Sequence, residues 1–181
     1  MKKPNYFTGE KALTRDEFKK LLEATENQEQ KILLLIGAML GIRRFDMSRI
    51  MVRNIKFDEH SLTYLEKKKF DAPHTVYMPP QLEHEILIFI NERKLGLNDH
   101  LFSVKDRQLC NWFYYLLNKC GIEKRGIHSL RGTCVKFCQA DGWSIESTAS
   151  LINDRVSTVQ EHYSTPSKSE MKELMLKRGV I

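Results

Sequence analysis

His128 and Arg131 stand three positions apart, and Tyr163 follows thirty-two residues after the arginine; all three are types that handle phosphate. If the segment opening at His128 is helical, imidazole and guanidinium share one face and can address the same oxyanion. A guanidinium is a planar, permanently charged fork matched to phosphate oxygens. Tyr163 is then either a nucleophile for that phosphate or another core aromatic. The polar residues before it, Gln160, Glu161 and His162, are unlike a core tyrosine's surroundings. Arg43 follows an apolar segment and its terminating Gly41, a place where a side chain is held rigidly but points away from the core. Arg44 beside it reads as a surface residue. Asp46, three on from Arg43, is placed to orient it through a charge-assisted bond. Lys67-Lys68-Lys69 falls at a hairpin tip, serving either as solvated edge protection or as a phosphate contact in a DNA groove. His-x-x-Arg alone is a common pattern and implies no more than an anion site.

Helices and a small sheet must hold these residues. Thr14 and Glu17 form a capping box, with Leu13 stapling onto Phe18. A central helix is expected over 28–40, apolar throughout Ile32 to Ile36, with Gly41 as its C′ residue. A short helix begins near Arg44. The period then changes, and 54–57, 62–68 and 74–78 read as strands of an antiparallel meander. Three short strands cannot stand alone and must pack on helices. Pro79-Pro80 opens a helix over 81–94, and another covers 105–119. The His128 helix runs to about 140, anchored by Leu130, Cys134, Phe137 and Cys138. Ser144 caps a helix to about 152, and a short helix reaches Tyr163. After a Ser164-Thr165-Pro166-Ser167 break, an amphipathic helix spans 168–178 with Met171, Leu174 and Met175. The predicted class is mainly α with a small three-stranded antiparallel edge sheet (α+β).

The totals agree with one domain, since 181 residues with 41% hydrophobic content suffice for one core. A net charge of +6 and a pI near 9.1 favour a polyanionic partner, nucleic acid before membrane. The longest apolar run, 32–39, is broken by Gly37 and too short to span a bilayer. No signal peptide is read at the N-terminus. The cysteines at 110, 120, 134 and 138 form no C-x-x-C pair, so reduced thiols in a cytosolic protein are expected, with no metal site.

Taken in order, the motifs resemble the catalytic domain of the tyrosine recombinases, the phage-integrase family. Gly41-Ile42-Arg43-Arg44-Phe45-Asp46 resembles the family's first box, usually Gly-Leu-Arg-x-x-Glu. His128-Ser129-Leu130-Arg131-Gly132-Thr133 resembles the second, His-x-Leu-Arg-x-Thr, and Leu151 to Tyr163 resembles the third. The opening Leu13-Thr14-Arg15-Asp16-Glu17 also looks like the usual start of this domain, so the resemblance covers about 12–165. It implies a flexible lead over 1–11 and a tail over 166–181 whose helix docks on a neighbouring protomer. Two departures stand out. The third box normally begins Leu-Gly-His but here reads Leu151-Ile152-Asn153, and an asparagine amide donates a hydrogen bond without carrying a proton. Aligning Thr75-Val76 with the family's third strand puts the catalytic lysine at Lys69; counting along the second strand points to Lys68, and Lys69 is preferred. The N-terminal DNA-clamping domain usual in the family has no counterpart in these residues.

The resemblance implies phosphoryl transfer on double-stranded DNA without metal or cofactor. Tyr163 would attack the scissile phosphate, giving a 3′-phosphotyrosyl link and a free 5′-hydroxyl. With a free phenol pKa of about 10, it needs a base, His128, and a positive field. Arg43 and Arg131 would bind the non-bridging oxygens, Lys69 would protonate the leaving oxygen, Asn153 would add a hydrogen bond, and Asp46 would steady Arg43. Arg44, Lys67, Lys68 and Arg155 are expected DNA contacts. A free monomer assembling into a tetramer on DNA is implied, in the cytoplasm of a prokaryote, a virus or a mobile element's host. A non-catalytic DNA-binding regulator with this fold, favoured by Asn153, and a type IB topoisomerase-like activity are the alternatives.

Overall fold

The computed structural model describes residues 11–163, Pro166 and 168–177, with the first expected lead and most of the 164–167 break lying outside the described residues. Helix α1, Arg15–Ala24, starts as expected: Thr14 accepts from the Glu17 amide and Glu17 reaches back to the Thr14 amide. Asn27 caps α2, Gln28–Leu35, and every residue from Ile32 to Ile36 is wholly buried. The expected single α-helix over 28–40 changes character at Ile36. Its last five residues, Ile36–Leu40, form a π-helical turn ending at Gly41 in the left-handed conformation (φ 64°). Widened turns of this kind re-aim the chain after a helix and recur at functional sites.

Arg43 caps the short helix α3, Arg44–Met47. The sheet has the order β1-β2-β3, all antiparallel, from Ile55–Lys56, Ser61–Glu66 and Ala72–Tyr77. The register runs from Ser61 opposite Tyr77 to Glu66 opposite Ala72. The second strand stops two residues earlier than expected, because Lys67–Lys69 coil into a 3₁₀ turn. The third starts early and includes Pro73, which an edge strand tolerates because one side needs no N–H donor. Along β2 the buried residues Leu62, Tyr64 and Glu66 alternate. A carboxylate therefore occupies the last inward position of the strand.

Helices α4 (Pro80–Arg93) and α5 (Asp106–Lys119) complete the larger core through Leu82, Ile86, Phe113 and Leu116. Helix α6, Ser129–Ala140, crosses the π turn at close range: a Cβ on Gly37 would lie 2.7 Å from Leu130 Cδ1 and 2.9 Å from Leu130 Cβ. Helices α7 (Ile145–Ile152, capped by Ser144) and α8 (Val156–His162) form with α6 a smaller core of Cys134, Val135, Cys138, Ala149, Ile152, Val159 and Tyr163. Helix α9, Lys168–Lys177, carries Glu170, which pairs with Lys136 of α6 at 3.1 Å. Its Met171, Met175 and Leu176 are exposed.

Gly41 joins the two cores. Its backbone is left-handed, and a Cβ there would lie 2.7 Å from Ile152 Cγ2 and 3.3 Å from Cys134 Sγ. Gly41→Ala should therefore lose about 1–3 kcal/mol of unfolding free energy in urea titration, from backbone strain and overpacking together; an unchanged midpoint would show that the turn is relaxed.

Candidate active site

Arg131 is 1% exposed, and a buried guanidinium must be paired. Its partners come from three places in the chain. Nη1 donates to the carbonyl of Gly41 (2.7 Å), while Nη2 donates to the carbonyl of Ile152 (2.8 Å) and to Asp154 Oδ2 (3.0 Å). The π turn and its glycine thus present one acceptor, and the end of α7 presents the other two. Nε is buried without a hydrogen-bond partner. Arg131 lines an open pocket of about 410 Å³ together with Arg43, Arg44 and His128.

Arg43 shares one of these partners, Asp154, and adds a second carboxylate. Its Nη1 donates to Glu66 Oε1 at 2.7 Å and its Nη2 to Asp154 Oδ2 at 3.4 Å. Asp154 therefore bridges both arginines. Burial alone would raise its pKa, but the Arg131 hydrogen bond, the Arg155 amide and the two guanidinium charges bring it below the ordinary carboxylate value. Glu66 is 0% exposed and serves three residues: Arg43, the Asn153 amide, and Lys69, whose Nζ lies 3.5 Å from Oε2. Asp46, the residue expected to orient Arg43, does something else. Its Oδ1 accepts the backbone N–H of Lys67 at 3.0 Å and so fixes the start of the lysine turn. Burial, with Glu66 nearby, holds its pKa above the ordinary range despite that bond and the Arg43 charge.

The Lys69 ammonium reaches across to the carbonyl of Asn153 at 2.6 Å, whereas no side-chain bond joins Lys68 to these residues. Asn153 caps α7 in the left-handed conformation (φ 49°, ψ 54°), which asparagine tolerates better than most side chains. Its amide is turned to Glu66 rather than to the pocket. Arg44 bonds Cys110 Sγ at 2.8 Å and lies 3.6 Å from Asp106, leaving it half-exposed. Arg155 is the exposed N-cap residue of α8.

His128 occupies the N-cap position of α6, one residue before the helix proper. Its Nε2 lies 3.0 Å from the Tyr163 hydroxyl. Burial, followed by the charges of Arg131, Arg43 and Lys68, lowers the imidazole pKa to about 4 against the opposing pull of Asp154. The ring is therefore neutral near pH 7, and in its Nδ1–H tautomer Nε2 accepts the phenolic proton. Tyr163 is only 5% exposed, so the polar sequence before it conceals a tyrosine packed in the smaller core with its hydroxyl at the site. The structure thus gathers Arg43, Lys69, His128, Arg131, Asn153 and Tyr163, and adds two residues that sequence reasoning passed over. Glu66 was legible as the last inward position of an alternating strand, and Asp154 as the neighbour of Asn153.

No model of a protein family matches the sequence, and no curated protein does. Solved structures do match. The XerA recombinase superposes with a TM-score of 0.79 at 20% identity, over 93% of this chain and 66% of that one. The XerH site-specific recombinase bound to its palindromic difH substrate after cleavage gives 0.73 at 20% identity, over 92% and 52%. The Tn1549 transposon integrase with a circular intermediate DNA gives 0.69 at 11% identity, over 92% and 65%. The chain has the catalytic-domain fold of the tyrosine recombinases. It spans about half to two thirds of the length of these solved proteins, which are site-specific recombinases and integrases, some held on DNA.

The His128 environment carries a pH signature. A histidine held neutral by burial has a folded-state pKa of about 4 against an ordinary 6.5, so the unfolded chain binds the proton first as pH falls. Its contribution is complete above about pH 6.5 and is lost as pH falls towards about 4; because the residue as a whole is exposed, solvent screening keeps the effect small. Urea midpoints measured across that window should fall slightly more steeply for the wild type than for His128→Gln; parallel curves would show that solvent screening cancels the shift.

Proposed function

We propose that this chain is the catalytic domain of a site-specific DNA recombinase or integrase, cleaving and rejoining strands through a 3′-phosphotyrosyl intermediate. The observation that carries the reading is the Tyr163 hydroxyl 3.0 Å from a neutral His128, beside two guanidiniums anchored by buried partners. Tyr163 Oη attacks phosphorus and passes its proton to His128 Nε2. The P–O5′ bond breaks, and the departing oxygen takes a proton from Lys69. Arg43 spends two of its five N–H donors on carboxylates, and Arg131 spends three on two carbonyls and one carboxylate, so both retain donors for non-bridging oxygens. Two fixed guanidiniums supply the positive charge that divalent metals supply elsewhere. A second 5′-hydroxyl then attacks the phosphotyrosine and gives its proton to Lys69, while the departing phenolate takes back the proton held by His128, restoring the phosphodiester and both groups.

Asn153 and Glu66 act from behind. With its amide on Glu66 and its carbonyl on Lys69, Asn153 holds the lysine turn against α7 instead of touching phosphate. The substrate is duplex DNA, as in the solved complexes of XerH and the Tn1549 integrase. Lys67, Lys68, Arg44 and Arg155 lie exposed or half-exposed around the site and serve as backbone contacts. A mobile-element setting follows from the same likeness.

Cleavage is tested on nicked duplexes carrying a site selected by the chain from a random-sequence pool. A covalent protein–DNA adduct should accumulate with the wild type and vanish in Tyr163→Phe. Binding without an adduct would instead identify a DNA-binding regulator, with the proton-free Asn153 as its mark.

The exposed Met171, Met175 and Leu176 of α9 are suited to docking on a neighbouring protomer, assembling a tetramer on DNA. A chain truncated after residue 167 should bind one site normally and lose strand exchange; undiminished exchange would refute trans docking.

A further inference from the structure

We propose that Phe70 is a wedge that inserts against a base step of duplex DNA beside the phosphate attacked by Tyr163. The inference rests on the DNA-transferase reading and assigns the hairpin tip a role in unstacking. Phe70 is 100% exposed and adopts the left-handed conformation (φ 57°, ψ 40°). A bulky side chain there is disfavoured relative to glycine, and a phenyl ring wholly in water recovers no burial. Folding stability accounts for neither its conformation nor its exposure.

The tip is nonetheless held in place. Asp71, also left-handed (φ 60°), donates its N–H to the Glu66 carbonyl at 3.0 Å and pairs with Arg49 at 2.7 Å. The start of the lysine turn is tied to Asp46, and Lys69 reaches the Asn153 carbonyl at 2.6 Å. Phe70 is therefore one peptide step, about 3.8 Å between Cα atoms, from a residue touching the candidate active site. Three consecutive lysines lead to it, and the carboxylate that follows is neutralised by Arg49. An apolar ring on a cationic, restrained tip fits a duplex: lysines take the phosphates while the ring enters between bases from the minor groove. Unstacking one step next to the scissile phosphate would free the 5′-hydroxyl end to leave and to re-enter.

The test uses the full chain and the pool-selected duplex with 2-aminopurine placed singly at successive positions. Wild-type binding should raise fluorescence severalfold at one or two adjacent positions. Phe70→Gly should abolish that rise and weaken binding about tenfold, with an unchanged salt slope because the lysines remain. The same variant should melt about 2–4 °C higher through relief of strain, excluding misfolding as the cause. Phe70→Leu should retain part of the signal. Binding with flat fluorescence, or an equal rise in Phe70→Gly, overturns the wedge and leaves the transferase reading intact. Self-association that depends on Phe70 with fluorescence unaffected also overturns it, in favour of a protein contact. A wild type that binds no duplex defeats both readings together.

Discussion

Everything in this structure accommodates one buried guanidinium. A charge cannot leave water without partners, and Arg131 obtains them from Gly41 and, more than a hundred positions further on, from Ile152 and Asp154. The larger core supplies the first acceptor through the end of its central helix. The smaller core supplies the others through the end of α7. Arg131 is therefore a cross-link between the two cores as well as a candidate phosphate ligand.

The carboxylates follow from the same constraint. Arg43, Arg131 and Lys69 in proximity repel one another, and Glu66 and Asp154 compensate them from the inner side. This arrangement leaves N–H donors of both guanidiniums unspent and fixes the groups before any substrate arrives. Preorganised positive charge is worth more than charge that must be assembled during the reaction. His128 lies in the same field, and that field together with burial keeps its imidazole neutral.

Much of this was legible in the chain. Helix starts at Thr14 and Ser144, the stop at Gly41, and the three-strand meander all have local causes in side-chain caps, left-handed glycine and alternation. The site's cations were legible from the ordered set of motifs, since no single spacing among them is rare. What could not be read was pairing across distance. Asp46 was assigned to Arg43 by proximity in sequence, yet tertiary packing gave Arg43 to Glu66, twenty-three positions away. The π turn was equally hidden, since its residues have ordinary helical propensity and only the crossing of α6 at Gly37 reveals the altered path.

That π turn has a consequence for chain length. A π-helical turn accommodates one more residue than an α-helix does over the same rise. Removing any one residue from Ile36–Leu40 would let the central helix close into regular α geometry, by itself a favourable change. The rise would barely change, but the widened turn that re-aims the chain after Ile36 would be gone. Gly41 would no longer face Arg131, and Arg43 would leave its carboxylates. The segment is thus a spacer whose length is under constraint: outside Gly37, where any Cβ meets Leu130, exchanges between apolar residues are better absorbed than insertions or deletions.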